Sequence, residues 1–140
     1  MMNGLRINLI VDKDNQWFAR IWVVLGKRKE VVYFKIDTGC NAVVLSHDTL
    51  KRLGFATGSK ALSNLPNITG TQVSGDKQVF KKLGTISLYR DREQSVHICD
   101  TQAICHAVHE TNDLIGTEAL RQFCGVNFNL TDKKYMELIK

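Results

Sequence analysis

The stretch Val31-Val32-Tyr33-Phe34-Lys35-Ile36-Asp37-Thr38-Gly39-Cys40-Asn41-Ala42-Val43-Val44-Leu45 decides how this chain is read. Its first six residues are rich in β-branched and aromatic side chains, the composition of a strand. The strand then ends on an acid, although carboxylates prefer solvated turns or helix caps. Gly39 allows a tight loop whose amides can approach a carboxylate closely. Thr38 adds a hydroxyl able to bond neighbouring backbone, and Ala42 to Leu45 carries the chain back into the core. Taken alone, Asp37-Thr38-Gly39 reads as a turn between two core strands. The rest of the chain reverses that reading.

Upstream, Leu5, Ile7, Leu9 and Val11 alternate through a first strand, and Asp12-Lys13-Asp14-Asn15 turns it. Trp17 to Leu25 forms a second strand, Gly26-Lys27-Arg28-Lys29 a second turn, and Val31 to Ile36 the third strand. Downstream, Ser46 has the chemistry of an N-cap, His47 to Leu53 of a short helix, and Gly54 of its stop. Phe55 to Pro66 shows no regular period and reads as loop. Asn67 to Gln78 carries Gly70 and Gly75 among Thr, Ser, Gln and Asp, which is hairpin chemistry. Val79 to Tyr89 and Val96 to Val108 are further strands around Arg90-Asp91-Arg92-Glu93. A helix over Thr117 to Phe123 precedes a terminal hairpin of Val126 to Leu130 with Tyr135 to Ile139. The sum is an all-β fold, a closed or partly open barrel with two short helices.

Composition bounds the function. A chain of 140 residues with 44% hydrophobic and 24% charged residues is a single globular domain, residues 1–140, that needs no disulfide scaffold. The net charge of +5 comes from 19 basic and 14 acidic residues, with the basic ones in short clusters beside turns. A nucleic-acid face would instead show a basic stripe interleaved with aromatics, so no nucleic-acid partner is expected. No apolar run approaches the ~20 residues of a membrane span, and Met1 to Arg6 lacks the apolar core of a secretory signal. The irregular spacing of Cys40, Cys99, Cys105 and Cys124 reads as four reduced thiols, which places the protein in the cytoplasm.

Near the C-terminus, Asn112-Asp113-Leu114-Ile115-Gly116-Thr117-Glu118-Ala119-Leu120 sends two apolar residues and a glycine straight into a helix. An apolar strand into Asp-Thr-Gly, then a glycine-bearing hairpin, then Leu-Ile-Gly before a helix resembles the retropepsin-like aspartic proteases. The likeness runs from about Trp17 to Ile139 and gains its specificity from the order of the motifs. It implies an aspartic protease half-domain in which Asp37 is the catalytic carboxylate. Thr38 locks the active-site loops of two subunits together, and Gly39 turns the loop beneath substrate. Leu114, Ile115 and Gly116 support that loop. The hairpin from Gly70 to Gly75 is the flap, with Val73 or Ser74 nearest its tip. Arg121 to Leu130 leads into terminal strands that help to knit the dimer.

Three features depart from the family. Cys40 stands where Ala or Ser is usual and adds an oxidisable thiol beside the site. The flap holds no Tyr or Trp, and Thr117 replaces the arginine of retroviral enzymes, so the likeness is nearer to the cellular and bacterial branch. One Asp-Thr-Gly per chain means that the second carboxylate of the hydrolytic pair comes from a symmetry mate. The expected partners are therefore a second copy and a polypeptide held extended, with no cofactor or metal. A zinc site from Cys99, Cys105, His106 and His109 has no common spacing and would splay its ligands over both strand faces. A Cys–His nucleophilic pair (Cys124 or Cys40) has no positional support. The serious alternative is a dimeric module of the same fold that grips peptides without cutting them.

Overall fold

The computed structural model describes residues 4–56, 58–71 and 77–140. Ten strands and three short helices follow in the order β1 (Leu5–Val11), β2 (Trp17–Leu25), β3 (Arg28–Ile36), β4 (Val43–Val44), α1 (His47–Arg52), α2 (Lys60–Ser63), β5 (Asn67–Thr71), β6 (Lys77–Tyr89), β7 (His97–His106), β8 (Leu114–Ile115), α3 (Thr117–Leu120), β9 (Gly125–Asn129) and β10 (Tyr135–Ile139). The strands pair in the order β5-β6-β7-β4-β8-β3-β2-β1-β10-β9, and a further β2–β6 pairing closes the segment from β6 to β2 into a ring. The fold is all-β and partly closed, as the sequence predicts.

The ring exists because its strands each turn one apolar face toward a shared core. Ala19, Ile21 and Val23 alternate inward on β2, and Val32 and Phe34 on β3. Ile86 and Leu88 of β6 meet them from across the ring, in one continuous core. Burying each of these larger side chains contributes roughly 1.5–3 kcal/mol. Ile7 on β1 and Met136 and Leu138 on β10 extend this core beneath the terminal strands.

Two glycines with positive φ shape the ring. Gly26 (φ +62°) makes the β2–β3 connection a two-residue turn, with Leu25 opposite Arg28, the geometry that suits strand twist. Strand β3 consequently starts at Arg28 rather than Val31. Pairing with Val23, Val24 and Leu25 carries the polar residues 28–30 into the ladder, and cross-strand context overrides their composition. Gly84 (φ +91°) sits at a break in register between β6 and β7. Such irregularities bend a strand. The first part of β6 pairs with β5, and its last residues reach β2, where Trp22 faces Tyr89.

The helices are short and side-chain capped where the sequence provides it. Ser46 caps α1 by accepting the Thr49 amide at 3.1 Å, and Gly54 (φ +96°) follows its end. Helix α2 lies inside the segment read as loop. A single turn is too short to give a helical period, and its signal is local: Ser59 accepts the Leu62 amide at 3.2 Å while Leu62 is buried. Among the described residues, no helix is long and apolar enough to cross a membrane.

Candidate active site

Asp37 stands one residue beyond β3, where the chain leaves the ring. Strand β8 inserts between β3 and β4: Lys35 and Ile36 lie opposite Leu114 and Ile115 in parallel, and Val44 faces Leu114 antiparallel. This insertion brings the two motifs together. The Asp37 amide donates to the Ile115 carbonyl at 3.1 Å, and the Lys35 amide to the Asp113 carbonyl at 2.8 Å.

The Asp37 loop is held from inside and from below. Inside it, the Gly39 amide donates to Asp37 Oδ1 at 3.0 Å and the Cys40 amide to the Asp37 carbonyl at 3.2 Å. Below it, the Thr117 amide donates to the Cys40 carbonyl at 2.9 Å and the Glu118 amide to the Asn41 carbonyl at 2.8 Å. Free amides at the start of α3 thus satisfy carbonyls of the loop. Gly116 is needed for this approach, because a Cβ there would come within 3.0 Å of the Cys40 carbonyl oxygen and to 2.7 Å from that of Ala42. Asp37 is half-buried, and Thr38 and Gly39 are exposed. The carboxylate is therefore fixed by backbone contacts while its loop faces outward.

Cys40 is half-buried, with its Sγ–H directed at the Ala42 carbonyl at 3.4 Å. Burial first, and the Asp37 charge after it, push its thiol up despite that hydrogen bond. It stays protonated at neutral pH, the less oxidisable form. All four cysteines are free. Among the described residues, no group of three or more His, Cys, Asp and Glu side chains is placed to hold a metal ion. Cys99 and Cys105 are buried in the core, and burial raises the Cys99 thiol to about 11.

A cleft of about 620 Å³ opens beside Asp37. Gly39, Cys40 and Ala42 form its floor with Val44, Ile104 and Leu114, and Ile68, Gly70 and Phe80 of the β5–β6 hairpin flank it. Gly70 lies directly on the Phe80 ring, where a Cβ would come to 2.8 Å. Gly70 is thus at the base of the hairpin that the sequence reading assigns as flap. Val73, Ser74 and Gly75 lie outside the described residues.

Two residues at the site escaped the sequence reading as contributors. The half-buried Asp113 carboxylate accepts the Ser46 amide at 2.6 Å and the Thr49 hydroxyl at 2.9 Å, tying α1 to the segment that enters β8. Burial pushes this carboxyl up against the pull of those two donors. Its stabilising contribution is full below the ordinary value of 3.8 and is lost as pH rises through the higher folded value. Asp113→Ala leaves both donors unsatisfied and is expected to cost about 1–3 kcal/mol in urea denaturation. Asp113→Asn keeps an acceptor, costs less and flattens this pH dependence. The second residue, His106, lines the cleft at the end of β7. The only sequence signal for Asp113 was its position directly before Leu114. His106 stood out only as a poor zinc ligand.

A partly closed ring of strands thus carries an Asp-Thr-Gly loop, braced by a Leu-Ile-Gly strand, at an open cleft. The fold is similar to that of the solved structure of a retropepsin-like aspartic protease from Rickettsia conorii, with a TM-score of 0.59 at 16% sequence identity over 99% of this chain and 95% of that one. The sequence matches no protein-family model and no curated protein.

Proposed function

We propose that this chain is an aspartic endopeptidase that works as a homodimer. The observation that carries the reading is the Asp37 loop itself: a carboxylate at the lip of a cleft, with its own loop amide on Oδ1 and the strand and helix of residues 114–118 bracing the backbone beneath it. A loop so heavily braced yet exposed at Thr38 and Gly39 suits a surface that meets a second copy.

Peptide hydrolysis by carboxylates needs a base to take a proton from water and an acid to give one to the carbonyl oxygen. Two carboxyl groups about 3 Å apart cannot both ionise and therefore share one proton. Asp37 and its symmetry mate supply that pair. The ionised member activates the water, and the neutral member protonates the substrate oxygen. Thr38 contributes to the contact between the two loops. The substrate lies extended between the subunits and pairs with the β5–β6 hairpin as added β-structure. The flap that the sequence reading assigns to this hairpin closes over the substrate and excludes water. The chemistry calls for no cofactor. Thr117 after Gly116, in place of arginine, puts the chain nearer the cellular and bacterial branch, and four free thiols suit the cytoplasm.

Incubation with an unfolded polypeptide at mildly acidic pH is expected to yield discrete fragments, with cleavage suppressed by pepstatin. Sedimentation is expected to show a dimer under the same conditions. Peptide binding by a dimer without any cleavage would replace the enzyme with a peptide-gripping module. A monomer that cleaves at full rate would overturn the shared-proton mechanism.

A further inference from the structure

We propose that His106 sets the side-chain preference of the Asp37 cleft: with its imidazole neutral the cleft takes an uncharged apolar side chain, and with its imidazole charged it takes an anionic one. This inference rests on the reading of the cleft as a peptide groove. It goes beyond that reading by assigning selectivity to one residue.

The cleft wall is apolar apart from a few groups. Val44, Ile68, Phe80, Ile104 and Leu114 would seat an aliphatic or aromatic side chain, and His106 joins Asp37 and Cys40 as the ionisable side chains of the lining. His106 is 7% exposed, and its ring packs edge-on against Phe80 with centroids 5.2 Å apart. Its protonation pattern follows from its partners. Nδ1 accepts the amides of Val108 at 3.2 Å and His109 at 2.9 Å, so it carries no proton. Nε2 therefore bears the hydrogen and donates it to Gln78 Oε1 on β6. With both nitrogens engaged, the neutral ring offers the cleft only carbon edges and faces, and the wall behaves as apolar.

Protonation changes this in one step. A proton added at Nδ1 displaces two backbone donors and leaves a cation on an apolar wall, where a charge acts through low dielectric. Burial, and then His109 and His47, hold the imidazole below its usual range, so it is neutral near pH 7 and charges on acidification. The groups around it are few. From α1, His47 Nε2 meets the His106 carbonyl at 2.7 Å. From the turn after β7, the His109 ring lies 4.8 Å from that of His106, while the Glu110 carboxylate is engaged by the amides of His47 and Thr111 at 2.8 and 2.9 Å. Asp37 and Cys40 share the cleft from the loop after β3. On β6, Gln78 is uncharged, and the Lys81 ammonium is drawn off to the carbonyls of Ser63 and Leu65 at 3.2 and 3.3 Å. The Thr111 hydroxyl, on a residue that also lines the cleft, has no partner among the described residues and can reorient toward an anion.

The test uses short peptides carrying leucine or cysteic acid at each successive position, the sulfonate staying charged throughout. Binding is read on the Asp37→Asn protein, so that turnover does not interfere. At one peptide position the affinity ratio of cysteic acid to leucine is expected to rise about tenfold between about pH 7 and about pH 5. His106→Gln, which keeps an uncharged hydrogen-bonding side chain, is expected to abolish the rise. A flat ratio in the parent protein overturns the inference, and so does a rise that survives His106→Gln, which would assign it to His47 or His109. Histidine Cε1–H shifts in the parent protein give a readout independent of any variant's folding: His106 is expected to titrate at lower pH than an exposed histidine. Failure to titrate at all between about pH 4 and about pH 7 overturns the proposal. Failure of every peptide to bind removes the groove reading itself, whereas leucine peptides bound with a flat ratio remove only the role of His106.

Discussion

If the proposed function holds, Asp37→Asn is expected to lower kcat/KM for peptide hydrolysis by about a thousandfold or more while leaving the fold and the proposed dimer intact. The size follows from the chemistry, because a positioned general acid–base contributes roughly 10²–10⁴ in rate, and in the proposed homodimer one dyad supplies both functions. Asparagine matches aspartate in shape but can neither take a proton from water nor hold the shared one. The intact fold follows from the geometry. Asp37 is half-buried, and among the described residues its side chain accepts the Gly39 amide on Oδ1 at 3.0 Å, a bond that an asparagine oxygen accepts equally well. The backbone bonds from the Asp37 amide to Ile115 and from the Cys40 amide to Asp37 do not involve the side chain. Denaturation free energy is therefore expected to move by no more than about 0.5 kcal/mol. In the proposed homodimer the amide of one asparagine can still hydrogen-bond to its mate, as the shared proton did, so sedimentation is expected to show the same assembly. Fragments released at the parent rate by the purified variant would remove Asp37 from the chemistry.

What the sequence disclosed about this site divides along the range of the interactions. Alternation made β1, β2 and most of β3 readable, since burial of Ile7, Leu9, Ala19, Ile21 and Val23 is written in a period of two. The cap of α1 was readable because Ser46, the Thr49 amide and Gly54 are neighbours along the chain. The extra length of β3 was not, because Arg28 to Glu30 are ordered by their partners on β2 rather than by their own preference. The insertion of β8 between β3 and β4 rests on distant pairings of one or two residues, parallel to β3 and antiparallel to β4, which no local period encodes. Only the resemblance in motif order joined Leu114-Ile115-Gly116 to Asp37. His106 and Asp113 lay beyond even that, since their roles depend on Gln78, Ser46 and Thr49, which meet them only after folding.

Gly116→Ala is expected to destabilise the protein by about 3 kcal/mol or more, and to lower the proposed activity, although it adds a single methyl group. The backbone at Gly116 has φ −102°, open to any residue, so conformation is not the reason. Space is. A Cβ there would lie within 3.0 Å of the Cys40 carbonyl oxygen, 2.7 Å from the Ala42 oxygen and 2.8 Å from the Cys40 carbonyl carbon. All three are backbone atoms and cannot rotate aside as a side chain would. Relief requires β8 and α3 to withdraw from the loop, which stretches the Thr117–Cys40 and Glu118–Asn41 bonds of 2.9 and 2.8 Å together with the Asp37–Ile115 bond of 3.1 Å. Each bond lost in a partly buried setting removes roughly 0.5–1.5 kcal/mol, and the loss falls on the segment that aims Asp37. A displacement of about 1 Å at a reacting group can cost on the order of 10²-fold in rate. Gly125→Ala is the matched control, because a Cβ there meets only the Ile139 side chain at 3.8 and 3.9 Å, ordinary contact. Urea midpoints of the two variants should therefore separate widely. If Gly116→Ala unfolds within about 0.5 kcal/mol of the parent, the close packing of the Leu-Ile-Gly strand under the Asp-Thr-Gly loop is wrong, and with it the bracing that holds the carboxylate at the cleft.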